Sequence, residues 1–231
     1  MNDDLVRLYL VATPIGNLKD ISYRAVEVLS NVNTVLCEDT RVTRVLFDAY
    51  GIKTKLESYH AQSKDGYEES IIERMRDGEV FALVSDAGTP TISDPGVRLV
   101  SKAREILSEG SIVSIPGASA LTTAMSLTGF SGNQFTFYGF LPHKKGRNSI
   151  FDEIAASPRV SIFYESPHRI MKTLAELSDR FGDSRLVCIG RELTKIYEES
   201  PVGSAQEVFN YFTQHEDKVR GEFVVVVDAS S

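Results

Sequence analysis

Val80-Phe81-Ala82-Leu83-Val84 followed by Ser85-Asp86-Ala87-Gly88-Thr89-Pro90-Thr91-Ile92-Ser93-Asp94-Pro95-Gly96 decides the architecture. Five consecutive apolar residues read as a strand buried on both faces. The twelve that follow carry no period. Beyond them a helical spacing runs to Glu109, with Leu99, Val100, Ala103, Ile106 and Leu107 on one face. Gly110 closes that helix, and Ile112-Val113-Ser114-Ile115 reads as the next strand. Strand, long turn, helix and strand in this order make a parallel β-α-β unit with a right-handed crossover.

The same alternation extends toward the N-terminus. Leu8–Ala12 and Thr34–Cys37 read as strands, and Ile21–Val32, Arg41–Tyr50 and Lys64–Asp77 as helices, the last two stopping at Gly51 and Gly78. Beyond Pro116-Gly117 comes a small-residue helix, Ala118–Thr128. Strands are expected at Phe135–Phe140, Val160–Tyr164, Leu186–Gly190 and Phe223–Val227, with helices at Ser149–Ala156, His168–Arg180 and Ala205–Thr213. The pattern predicts two α/β domains, 1–117 and 118–231, the first with a mostly parallel sheet and the second with a mixed one.

Composition narrows the function classes. The chain has 231 residues, 42% of them hydrophobic, enough for one or two cores. A net charge of −7 argues against non-specific coating of nucleic acid but leaves room for a local basic groove. The second half carries such a cluster at His143-Lys144-Lys145-Gly146-Arg147. The start, Met1-Asn2-Asp3-Asp4, has no signal-peptide character, and no apolar run is long enough to span a bilayer. A cytoplasmic location is therefore expected. Cys37 and Cys188 each lie in an apolar strand with no partner at metal-ligand spacing, so buried thiols and no metal site are expected.

A turn of twelve residues between a strand and a helix is long, and it sits at the carboxyl edge of a parallel sheet, where such sheets bind ligands. Capping alone accounts for part of it, with Asp94 as N-cap and Pro95 at N1. It does not account for Gly88, which would let backbone approach a ligand, or for Pro90, which would stiffen the turn. Neither a P-loop nor a Gly-x-Gly-x-x-Gly fingerprint is present, so a nucleotide-like ligand lacking phosphates fits best. Thr13-Pro14-Ile15-Gly16-Asn17 and Pro116-Gly117-Ala118-Ser119-Ala120 are further small-residue turns expected at the same edge. Close helix packing explains the latter equally well.

Three charged stretches follow strands: Glu38–Arg44, Glu165–Arg169 and Arg191–Glu199. Each alone is a solvated turn as readily as a site. The acids of the first could simply complement a helix dipole, and Ser166-Pro167 would cap and start the helix after the second. Together they suit a polyanionic substrate beside an acid–base pair. His60 and His168 near strand ends are weaker candidates, and His215 reads as surface. No Ser-His-Asp spacing and no nucleophile elbow are present.

Seven ordered blocks resemble one family: Leu8–Leu18, Glu38–Arg41, Ser85–Gly96, Pro116–Ala120, Gly139-Phe140-Leu141-Pro142, Glu165–Arg169 and Arg191–Lys195. They are similar to those of the ribosomal RNA small-subunit methyltransferase I family, a branch of the tetrapyrrole-methylase superfamily. The resemblance implies two α/β domains with S-adenosylmethionine in the cleft between them, a homodimer, and methyl transfer to a cytidine ribose 2′-oxygen in 16S ribosomal RNA or the small subunit. Two positions depart from the family pattern, Ser63 in place of asparagine and Arg220 in place of lysine before Gly221-Glu222.

On that footing cofactor contacts are expected at Pro14, Gly88, Thr89, Pro90, Ile92, Ser119, Ala120 and Tyr164. Glu38, Glu165, Glu192 and Lys195 are unranked candidates for handling the hydroxyl proton. Arg41, Arg44, Lys144, Lys145, Arg169 and Arg191 are candidates for RNA phosphates. The competing readings are a superfamily methylase for a tetrapyrrole or other small molecule, which would need few exposed arginines, and a non-catalytic RNA-binding module.

Overall fold

The computed structural model describes residues 5–60 and 66–230. Ser63 and the first residues of the helix expected at 64–77 lie outside them. The chain divides into two compact units, one ending at Ser119 and the other beginning at Ala120.

The first unit runs β1 (Leu8–Val11), α1 (Tyr23–Asn31), β2 (Thr34–Cys37), α2 (Thr40–Tyr50), β3 (Lys55–Ser58), α3 (Tyr67–Arg76), β4 (Phe81–Leu83), α4 (Gly96–Ile106) and β5 (Ile112–Ile115). Its strands form one parallel sheet in the order β3-β2-β4-β1-β5. Alternation along the strands divides the core in two. Val35, Cys37, Ala82 and Val84 pack with Leu29 of α1 and Phe47 of α2. Leu36, Phe81 and Leu83 pack on the opposite face with Ile71 and Met75 of α3 and Leu99 of α4. Helices on both faces bury the central strands β2 and β4, which is why Val35–Cys37 and β4 are unbroken apolar runs.

The second unit runs α5 (Ala120–Thr128), β6 (Phe135–Phe140), α6 (Arg147–Ala156), β7 (Val160–Glu165), α7 (Ile170–Phe181), β8 (Leu186–Arg191), β9 (Val202–Ser204), α8 (Ala205–Gln214) and β10 (Phe223–Val227). Its sheet is mixed, in the order β6-β7-β10-β8-β9, with only β6 and β7 parallel. The core joins Phe163, Ile189 and Val225 of the sheet to Phe151 of α6, Leu174 of α7 and Phe212 of α8. A reciprocal capping box, Ser204 with Glu207, opens α8. Phe223, first in β10, pairs with Glu165 on one side and Arg191 on the other, so the ends of β7 and β8 meet at the beginning of β10.

The two α/β units agree with the fold class expected from the alternation. Two strands were not expected, β3 and β9, and both are sheet edges. Two capping assignments are corrected. Helix α4 starts at Gly96 with Pro95 at the cap position, not at N1. Asp94 sits one residue further out, accepting from the amides of Thr91 (2.5 Å) and Gly96 (2.8 Å). Helix α7 starts at Ile170, and Ser166 contributes a turn: its carbonyl accepts from the amides of Arg169 and Ile170. Cys37 and Cys188 are buried, and burial pushes the Cys188 thiol up to about 11. Among the described residues no helix is long and apolar enough to cross a membrane.

Candidate functional site

At the carboxyl edge of the first sheet, β4, β1 and β5 are neighbours, so the turns that follow them emerge side by side. The turns are stitched to one another. Thr13 and Gly88 exchange backbone hydrogen bonds of 3.0 Å, and the Thr13 hydroxyl donates to the Ser85 carbonyl at 3.1 Å. The Thr89 hydroxyl donates to the Ala118 carbonyl at 3.2 Å. The Asp39 amide donates to Asp86 at 3.1 Å, which ties in the turn after β2.

Gly88 has a structural role beside the contact expected of it. Its φ is +84°, a left-handed conformation, and a β-carbon there would lie 3.4 Å from Ile15 Cγ2. Its amide and carbonyl are both engaged by Thr13, so its backbone clamps two turns together. Pro90 is buried with it. Pro14, Thr89 and Ser119 are half-buried on the same turns, Ile92 is exposed, and Ala120 is half-buried at the start of α5. Three carboxylates, Glu38, Asp86 and Asp94, share this edge. Burial, then the charges of Asp86 and Asp94, push the Glu38 carboxyl above its ordinary range. The three turns themselves contain no lysine or arginine.

At the ends of β7 and β8 the charged residues sort into interior and surface. Glu165 is buried in a polar network: it accepts from Thr173 (2.7 Å) and from the Ser166 amide (2.9 Å), and pairs with Arg169 (2.7 Å) and Arg147 (3.4 Å). Arg147 also reaches Glu176 at 3.2 Å. This removes Glu165 from the candidates for proton transfer, since each carboxylate oxygen already has partners inside the fold. Arg169 donates to the Leu141 carbonyl at 2.8 Å, which holds the Gly139–Pro142 stretch against α7. Arg191 donates to the carbonyls of Arg220 (3.0 Å) and Tyr197 (3.2 Å) and pairs with Glu199 (3.1 Å). Neither arginine presents an open guanidinium to phosphate. Of the cations expected to meet phosphate, Arg41, Arg44, Lys144 and Lys145 stand in solvent, and Arg41 is paired with Asp39.

Glu192 and Lys195 do come together, and Glu222 joins them. Lys195 Nζ lies 2.9 Å from Glu192 and 2.9 Å from Glu222, and the Glu222 amide donates to Glu192 at 2.9 Å. Burial alone would lower the Lys195 ammonium, but its bonds to Glu192 and Glu222 outweigh it and hold it above its ordinary value. Burial likewise acts to raise Glu192, and Lys195 with the Glu222 amide overrides it and holds the carboxyl low. The pair is thus a fixed ammonium and carboxylate. Gly221 makes it possible: its φ is +89°, and a β-carbon there would fall 2.4 Å from the Glu192 carboxyl. Glu222 and Gly221 were noted in the sequence only as part of a family pattern. The signal that could have found them is a charged turn directly before a wholly apolar strand.

Tyr164 lies on the other face of the second sheet, edge-on to Phe137 (5.0 Å) and Phe140 (5.4 Å). Burial raises its phenol, partly offset by the backbone of Leu121 at the start of α5. His168 is exposed, and His215 stacks on Tyr211 with Nδ1 2.7 Å from the Tyr211 carbonyl, so it packs against α8 where bare surface was expected. Among the described residues no group of three or more His, Cys, Asp or Glu side chains is placed to hold a metal.

A parallel sheet with long stitched turns, followed by a mixed-sheet unit, is the fold of known methylases. The chain superposes on diphthine synthase with a TM-score of 0.73 at 14% identity, covering 97% of this chain and 90% of that one. It superposes on uroporphyrin-III-C-methyltransferase from Thermus thermophilus with a TM-score of 0.63 at 18% identity, covering 96% and 94%. The family model of tetrapyrrole (corrin/porphyrin) methylases matches residues 7–208, and the chain belongs to that family. Within it, the chain is 43% identical over 229 residues to ribosomal RNA small subunit methyltransferase I of Bacillus subtilis (strain 168), covering 99% of this chain and 77% of that protein. The protein of the same name from Escherichia coli O157:H7 is 42% identical over 226 residues, covering 96% and 77%.

Proposed function

We propose that this protein transfers the methyl group of S-adenosylmethionine to the ribose 2′-oxygen of a cytidine in 16S ribosomal RNA, acting in the cytoplasm as a homodimer. The observation that carries the substrate is identity of 43% across almost the whole chain with a protein named for small-subunit ribosomal RNA. The geometry supports the cofactor independently. An edge with Glu38, Asp86 and Asp94 and no lysine or arginine in its turns suits a nucleoside bearing positive charge and disfavours one bearing phosphates. Pro14, Thr89, Ile92, Ser119 and Ala120 would line it. When bound, S-adenosylmethionine supplies a methyl group already activated by its sulfonium.

The chain's own residues then have two tasks. A ribose hydroxyl is a weak nucleophile at neutral pH, and a nearby cation lowers its pKa. Lys195, fixed as an ammonium between Glu192 and Glu222, can attract the developing alkoxide, and Glu192 can accept its proton. Arg41, Arg44, Lys144 and Lys145 are exposed and can hold phosphates. Glu165, Arg169 and Arg191 keep the ends of β7 and β8 in place. Orienting the hydroxyl against the methyl group contributes up to about 7–11 kcal/mol to the rate.

Small subunits lacking the modification, incubated with labelled cofactor, should accept one methyl group on ribose. An RNA with 2′-deoxycytidine at the target should bind with similar affinity and accept none. Methylation of the deoxy substrate would move the acceptor to a base atom and overturn the proposal.

A further inference from the structure

The loop that carries Lys195 also carries an apolar pair in solvent. Ile196 is 93% exposed and Tyr197 65%. Exposed apolar residues are ordinary when single and mobile, but this loop is neither loose nor free to fold them away. Arg191 and Glu199 close its neck with two backbone hydrogen bonds of 2.9 and 3.1 Å. Inside it, the Lys195 amide donates to the Glu192 carbonyl and the Glu198 amide to the Lys195 carbonyl. Arg191 holds the Tyr197 carbonyl from below, and Leu193 is buried as an anchor. Glu192 and Thr194 both adopt positive φ, +49° and +67°, which costs of order 1 kcal/mol or more each in residues other than glycine. The fold thus spends stability on presenting Ile196 and Tyr197 rigidly.

What they are presented to follows from their neighbours. The exposed Arg220 guanidinium stands 6.0 Å from the Tyr197 ring, and the Lys195 ammonium belongs to the same loop. An aromatic face beside a guanidinium matches a nucleobase and its phosphate. Two side chains ringed by Lys195, Glu198, Arg220 and Glu222 offer too little apolar area for a stable protein interface, which buries about 1,200–2,000 Å². We propose that Tyr197, backed by Ile196 and flanked by Arg220, is a wedge on which a base of the substrate RNA stacks, holding the strand beside Lys195. The inference rests on the substrate being RNA, as argued above. A base stacked there fixes the position of its strand relative to Lys195, which a phosphate contact alone would leave free to slide.

The chain contains no tryptophan, so Tyr197→Trp installs a single, selectively excitable tryptophan on the loop while keeping a stacking ring. Tyr23→Trp places one at a residue that is 98% exposed in the first unit and serves as control. Saturation with protein-free 16S ribosomal RNA should quench the tryptophan at 197 several-fold and shield it from acrylamide, leaving that at 23 unchanged. Tyr197→Ala should weaken RNA binding about tenfold, with unaltered affinity for S-adenosylmethionine, and Tyr197→Trp should retain it. RNA binding without quenching at 197, or parental affinity in Tyr197→Ala, overturns the wedge. Quenching that rises with protein concentration in the absence of RNA overturns it in favour of a second copy of the chain. Quenching by RNA, with no methyl transfer to small subunits lacking the modification, leaves the wedge standing and overturns the methylation proposal alone. Absence of RNA binding overturns the wedge, and together with no methyl transfer to small subunits it overturns both.

Discussion

Thr13 and Gly88 lie 75 positions apart and exchange both of their backbone hydrogen bonds, each 3.0 Å long. The turns after β1 and β4 are therefore one structural piece, and a substitution at Gly88 acts on both. Gly88→Val must place a branched side chain at φ +84° and against Ile15. It should cost at least about 1–2 kcal/mol in urea unfolding and weaken S-adenosylmethionine binding in the same variant. Weakened binding at unchanged stability would mean instead that Gly88 touches the ligand.

Glu38 links stability to binding with opposite signs. Its carboxyl is raised above the ordinary 4.5 by burial and by Asp86 and Asp94. The folded protein therefore holds that proton more tightly than the unfolded chain, so stability falls as pH rises through the raised value. At pH 7 the whole penalty is present, and below the ordinary value it is gone. Glu38→Gln should raise the urea midpoint at pH 7, leave it unchanged near pH 4, and weaken binding of the cationic cofactor. A lower midpoint at pH 7 would count against the shared-charge edge.

Glu165 offers a sharp contrast between structure and catalysis. Removing its charge takes the buried carboxylate from between Arg147, which keeps only the less buried Glu176, and Arg169, and Glu165→Gln should cost about 3–5 kcal/mol. A large loss of kcat in a variant of parental stability would return Glu165 to the reaction.

Lys195 should behave in the opposite way. Lys195→Met should lower kcat about 100-fold with a small change in stability and little change in cofactor affinity. The ammonium is held above its ordinary value and Glu192 below its own, so neither changes charge near neutrality. In the parent enzyme the rate under saturating substrate should accordingly show no limb from this pair between about pH 5 and 10. A limb near neutral pH that disappears in Lys195→Met would refute the fixed ion pair.

The salt dependence of RNA binding separates surface cations from buried ones. The double variant Lys144→Ala, Lys145→Ala should reduce the slope of log K against log salt by roughly 1.5–2. Arg191→Ala should leave the slope alone and lower the melting temperature, because its guanidinium serves Arg220, Tyr197 and Glu199. Equal slopes in the lysine variant and the parent would place the phosphates elsewhere.

Much of the fold is legible because buried parallel strands are apolar runs and the helices between them keep a 3.6-residue period. Val80–Val84 and Thr34–Cys37 announce themselves in this way. The strands that escape are β3, Lys-Leu-Glu-Ser, and β9, Val-Gly-Ser. Both are edges, where a short polar strand resists unwanted pairing and so leaves no hydrophobic signature. The turns of the first sheet were recognisable as a group from topology. Their stitching was not, because Gly88 meets Thr13 only across the sheet. The charged residues were the least legible. Lys144 and Arg147 stand three apart in one basic cluster, yet one is in solvent and the other is buried against Glu165, and only the long-range partner makes the difference.

Strand β10 follows every other strand in the chain and takes the middle of the second sheet, between β7 and β8. During synthesis the parallel sheet can close as soon as Ile115 has emerged, whereas the second sheet stays split until residues 223–227 arrive. Glu222 is delivered with them, so Lys195 acquires its second carboxylate in the step that completes the sheet. A nascent or truncated chain lacking these residues would carry a finished first sheet and an unassembled Lys195 cluster, so if the reaction depends on Lys195, as proposed above, RNA is not modified before folding is complete.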